Sequence, residues 1–297
     1  MKLSTSTSIY HNRQDGTYVK MVDCMHMLKE AGYQDLDLHF CDADKGTIEI
    51  CGDDWERWAN NFRNEMERLG LTCGQSHAPY YKRGLIPADK AVYKYSEKMV
   101  RRSIEAAGII GAKTITIHGN AVPGCVDFEQ SKALNLEYFC PLLELAEKCG
   151  VSIAIENMFD PYDPIKTTIR RRRYLAYVPD LIDLVDTLGK DFKNVGICWD
   201  FGHANEMSWN QVESLKMIGK RLIATHVNDN YGIKDDHLLP YLGEIEWKPI
   251  MKTLRDIKYE GNFTYETRGF TVNLPDELIP EALRFSVILG NYLLSLA

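Results

Sequence analysis

The sequence predicts one α/β domain, a single (β/α)8 barrel over residues 1–297. Short β-rich runs alternate with longer helix-like segments from end to end, and about eight such units fill the chain. No Pro/Gly/Ser-rich linker or internal repeat divides it. Six of the strand-like runs also finish on a residue able to bind a metal: TCGQSH (His77), TITIH (His118), SIAIE (Glu156), GICWD (Asp200), IATH (His226) and FTYE (Glu266). An open doubly wound sheet would share the alternation but gather its ligands mainly at one switch point. Polar residues ending nearly every strand favour the barrel.

Strands are expected at about 3–10, 35–40, 72–77, 113–118, 151–156, 195–200, 221–227 and 262–267. Helical patterns lie between them at 90–110, 129–149, 178–188, 212–219 and 247–257, and a last helix over 280–294 closes the chain. Gly32, Gly70, Gly111, Gly150 and Gly189 read as helix stops. Asp53 and Asp54 before Trp55 resemble an N-cap. Met21, Cys24, Met25, Met27 and Leu28 have the spacing of a buried helix face. Trp55 and Trp58, three apart, suit packing or a subunit contact, and Trp247 suits a structural role. Two connections are long for a compact domain, 157–177 and 228–246, as lids and binding loops are.

Composition limits the function classes. A net charge of −7 and a pI near 5.7 give no basic field to attract nucleic acid or an anionic membrane. The N-terminus lacks the apolar run of a secretory signal, and no stretch approaches a membrane span. Eight cysteines without a CxxC pair suit reduced thiols. The expected setting is a reducing cytoplasm.

In such a barrel the C-terminal strand ends converge on the axis, so ligands arrive about one strand–helix unit apart. The six strand-end residues are separated by 26 to 44 positions, in accord with that delivery. Glu156, Asp200, His226 and Glu266 form an O,O,N,O set suited to one divalent ion, Mn²⁺, Mg²⁺, Co²⁺ or Zn²⁺. Three carboxylates crowded together repel unless a cation neutralises them. Of the eight histidines, His77, His118 and His226 end strands and His39 nearly does. His203 follows Asp200 by three residues, His237 lies with Asp235 in the seventh loop, His11 follows the first strand, and His26 has a structural reading within a helix.

The segments IAIEN (from Glu156), GICWDFGHAN (through Asp200 and His203), HVNDNYGIKDDHLLPYLGEIEW (His226 to Trp247) and FTYE (Glu266) resemble the xylose isomerase-like barrel superfamily over essentially the whole chain. That superfamily holds sugar isomerases and epimerases together with zinc-dependent apurinic/apyrimidinic endonucleases. The resemblance implies Glu156, Asp200, His226 and Glu266 as ligands of a single metal, with Glu156 and Glu266 also the acid/base pair. Proton transfer next to a carbonyl would then pass through an enediolate. It further implies a small sugar or sugar derivative, with His203, His118, His77, His39, His237 and Asp235 around it. Dimers and tetramers are common among such relatives. The endonuclease alternative implies three zinc ions on His77, His118, Glu156, Asp200, His203, His226, Asp235, His237 and Glu266, with SHAPYY (from Ser76) like the segment that approaches DNA. The acidic balance weighs against that branch. Two departures stand out: Phe201 replaces the usual Thr, and Tyr241 replaces the first Gly of the P-G-x-G-x-I-D-W stretch, which implies a differently shaped substrate loop. The arginines at 170, 171, 172 and 173 suit a solvated surface or an anionic substrate group.

Overall fold

The computed structural model describes residues 1–11, 13, 15–80, 90–120, 128–160 and 173–297. Eight parallel strands run in the order β7-β6-β5-β4-β3-β2-β1-β8: β1 (Lys2–Ser6), β2 (Asp35–His39), β3 (Thr72–His77), β4 (Thr114–His118), β5 (Ser152–Glu156), β6 (Val195–Asp200), β7 (Leu222–His226) and β8 (Asn262–Tyr265). The Val227–Tyr265 bridge, reinforced by Val227 N–H donating to Thr264 at 2.7 Å, brings β7 against β8. The molecule is a (β/α)8 barrel with helices around the ring.

Strand alternation explains the sorting of side chains. In β2, Leu36 and Leu38 are buried outward against the helices, while Asp35, Asp37 and His39 share the inner face. Outer-layer packing uses Ile115, Ile117, Ile153, Ile155 and Ile197, all essentially inaccessible. The Met/Cys face of helix Met21–Ala31 is buried, as its spacing predicts. Trp58 packs on Phe40 and Phe62, and Arg102 stacks over Trp55 at 5.2 Å.

Several local expectations change. β1 stops at Ser6, and Ser8–His11 form a short helix that returns His11 to the barrel mouth. Gly32, Gly70, Gly111 and Gly150 take the left-handed conformation of helix stops, but Gly189 is right-handed at φ −65°. Asp54 makes no capping bond and pairs with Arg57 instead. Seven cysteines are free thiols; Cys125 lies outside the described residues, as do the arginines at 170, 171 and 172 and Tyr81. Among the described residues no helix is long and apolar enough to cross a membrane.

Candidate metal centre and active site

Each sequence-predicted residue reaches the C-terminal mouth of the barrel. Glu156, Asp200, His226 and Glu266 each offer a ligand atom, and these atoms all lie within 4.8 Å of one another. Parallel register makes this inevitable: His118 pairs with Glu156, and Asp200 with His226, so neighbouring strands end level. His226 Nδ1 lies 2.7 Å from Glu156 and 3.3 Å from Glu266. His118 Nε2 and His77 Nε2 approach the other Glu156 oxygen at 2.6 and 3.2 Å. Asp235 lies 2.7 Å from His237 Nε2 and 3.9 Å from His203 Nε2. His77, His118, Glu156, His203, His237 and Glu266 face a cleft of about 350 Å³, whose wall also carries Phe159, Tyr80 and Arg173. Arg173 is tied at 3.3 Å both to the Phe159 carbonyl and to the Tyr80 hydroxyl.

Three histidines take their tautomer from the main chain. Imidazole Nδ1 lies 2.8 Å from a backbone carbonyl in His77 (to Ala78), in His203 (to Asn157) and in His237 (to Glu266). With Nδ1–H donating there, Nε2 is the nitrogen turned toward the cleft, where His77 donates to Glu156 and His237 to Asp235. His226 is reversed: its Nδ1 faces the carboxylates and its Nε2 faces the barrel interior.

The electrostatics fit a divalent cation. Burial pushes the Asp200 carboxyl up to about 6, aided by Glu156 and Glu266, although His203 opposes the shift. Burial also disfavours charge on Glu156, yet His226 and His118 hold it well below the usual range. Glu266 is likewise held low against burial by His226 and His237. Three carboxylates and one imidazole nitrogen in a dry mouth are a donor set that a divalent ion completes.

The seventh loop is organised by a buried carboxylate. Asp229 accepts from Asn230 N–H, Tyr241 N–H, Ile245 N–H and the Trp247 indole, at 2.9 to 3.1 Å. Tyr241 is thereby held at φ 70°, a left-handed conformation that a glycine adopts freely, so the Tyr at this position keeps a glycine-like backbone. Gly243 is required for closeness: a Cβ there would sit 2.6 Å from Asn230 N. Asp229→Ala is expected to cost about 3 kcal/mol, because it strands buried donors, and thermal unfolding measures the loss.

Two buried acids were not evident as strand-end ligands. Asp37 lies on the inner face of β2 two residues before His39, where period-2 alternation could have marked it. Glu206 ends the short helix Phe201–Glu206; burial first, then Asp235, raises it to about 7. A further trio, His11, His39 and Asp42, gathers beside the cleft, but Asp42 already pairs with His11 at 3.2 Å and with Lys45 at 2.5 Å.

The family model described as xylose isomerase-like TIM barrel matches residues 25–287. The chain belongs to this family. An uncharacterized protein of Methanocaldococcus jannaschii is 28% identical over 222 residues, 73% of this chain and 69% of that protein. An inosose isomerase of Bacillus licheniformis is 28% identical over 137 residues, 44% of this chain and 45% of its own length. Among solved structures, a D-tagatose 3-epimerase-like protein has a TM-score of 0.69 at 21% identity, covering 98% of this chain and 99% of its own. D-psicose 3-epimerase, solved in the presence of D-fructose, has a TM-score of 0.73 at 16% identity, covering 99% of each chain. These structural neighbours share the fold of this chain.

Proposed function

We propose that the protein is a divalent-metal-dependent isomerase or epimerase of a small sugar or sugar derivative, moving a proton at a carbon beside a carbonyl. The observation that carries this reading is the pair of carboxylates, Glu156 and Glu266, meeting at His226 Nδ1 under one cleft. Glu156, Asp200, His226 and Glu266 would hold the ion. When bound, the ion supplies Lewis-acid polarisation of carbonyl and hydroxyl oxygens.

The remaining chemistry belongs to the chain. Neighbouring histidines keep both glutamates ionised despite burial, so either carboxylate can accept a C–H proton. Return of the proton to the opposite face gives an epimer, and return to the neighbouring carbon an isomer. His203 Nε2, its tautomer fixed by the Asn157 carbonyl, accepts a substrate hydroxyl proton in a hydrogen bond. Phe159, 4.7 Å from the His203 ring, gives the cleft an apolar wall. His118, His77, His39, His237 and Asp235 complete the polar surround.

A second reading has one specific observation in its favour. His77 and His118 share Glu156, and His203 and His237 flank Asp235, which is how two further zinc ions would be held in a phosphodiesterase. The −7 net charge disfavours a DNA substrate. Metal analysis combined with a D₂O assay separates the two. About one ion per chain, with deuterium entering one C–H position of a ketose or keto-sugar, is the expected result. About three zinc ions, no deuterium across the panel and cleavage of abasic DNA would overturn it.

A further inference from the structure

His226 differs from the other wired histidines of the site in having no main-chain acceptor behind it. Its Nε2 is buried without a hydrogen-bond partner among the described residues. Across 3.7 Å lies Asp37 Oδ2, and both Asp37 oxygens are equally buried and unpartnered. A fully buried carboxylate and a fully buried ring nitrogen facing each other are each costly alone and mutually satisfying together. The Cys198 thiol neighbours the same ring, but burial raises it to about 11, so it stays a neutral, weak acceptor.

We infer that Asp37 is the positioning residue for His226: from beneath the barrel mouth it accepts the Nε2–H proton, so that Nδ1, which donates its own proton to Glu156 at 2.7 Å in the metal-free site, is the nitrogen turned to a bound ion. The separation exceeds a hydrogen bond by a few tenths of an ångström, a gap that a small tilt of the imidazole toward β2 closes. His77 stacks flat on His226, with centroids 5.0 Å apart and planes 7° apart, so the ring slides in its plane rather than turning over. A carboxylate behind a metal-ligating histidine fixes its tautomer and raises its basicity, and losing such a partner weakens metal affinity about 10- to 100-fold. Asp37 touches neither the cleft nor the reacting atoms, and its effect passes through His226 alone. The inference rests on the reading that Glu156, Asp200, His226 and Glu266 bind a divalent ion.

The test measures Mn²⁺ and Zn²⁺ affinity of the full-length protein by calorimetry, beside the His226 tautomer read by NMR on ¹⁵N-histidine-labelled, metal-free protein. Asp37→Leu is expected to weaken the ion about 10- to 100-fold and to let the Nδ1–H tautomer appear. Asp37→Asn retains an acceptor oxygen, so it is expected to keep the proton on Nε2 with a smaller loss. Cys198→Ala is expected to stay within about twofold of the parent. A merely structural Asp37 would lower the thermal midpoint while leaving tautomer and affinity unchanged, and that outcome overturns the inference. If Asp37→Leu does not fold, a His226 Nε2 that carries no proton in the parent protein or in Asp37→Asn overturns it equally. A parent that binds no ion but shows His226 as Nε2–H refutes the metal reading and leaves the Asp37 pairing standing.

Discussion

Glu266→Gln is expected to lower kcat by about 10⁴-fold, the upper range for removing a general base, while KM changes little. The amide keeps the shape of the side chain and one acceptor oxygen but cannot take a proton. Glu266 follows β8, buried, between His226 Nδ1 at 3.3 Å and His237 Nδ1 at 3.9 Å. Those rings hold it ionised, so the variant removes a charge that the parent keeps at neutral pH. Steady-state kinetics with the best substrate of the D₂O panel checks the split between kcat and KM. Circular dichroism checks that the barrel persists. A fully active variant would remove Glu266 from the mechanism.

Removing the metal is expected to destabilise the protein more at pH 7.5 than at pH 5. The folded pKa of Asp200, about 6, lies above its ordinary value near 3.8. The metal-free folded chain therefore binds a proton that the unfolded chain has already released, and stability falls as pH rises from about 4 to about 6. Above that window the group costs about 3 kcal/mol. Binding an ion offsets the repulsion and adds its own linkage term. Asp200→Asn should accordingly behave in opposite ways in two assays. It is expected to raise the thermal midpoint of chelator-treated protein at pH 7.5, and to abolish the gain in midpoint that added Mn²⁺ gives the parent. Equal midpoints for chelated parent and variant at that pH would show that the carboxylates do not crowd as described.

The clustering of the proposed ligands was readable because barrel geometry converts a strand-end pattern directly into proximity. Glu156, Asp200, His226 and Glu266 needed only the alternation of strands and the level ends that parallel register provides. Helix 90–110 and helix 178–188 were equally plain from periodicity. What escaped depends on contacts between segments distant in sequence. β1 ends early because Thr7 turns the chain and its hydroxyl accepts from His39 N–H, a bond to β2 that no local pattern announces. Gly189 and Asp54 have the residue types of caps, but neighbouring packing and Arg57 decide their conformations. Tyr241 keeps a glycine's backbone because Asp229, twelve residues upstream, supplies the acceptor.

The main-chain acceptors behind His77, His203 and His237 also bear on how the site tolerates change. No substitution deletes a carbonyl oxygen, so the aim of these three rings survives mutation of almost any side chain around them. Their orientation is written into the barrel scaffold itself. His226, among the four proposed ligands, is the ring exposed to drift, since what faces its far nitrogen is a replaceable carboxylate. Random variation outside the cleft therefore has a narrow channel through which to retune the proposed metal centre, and that channel runs through β2.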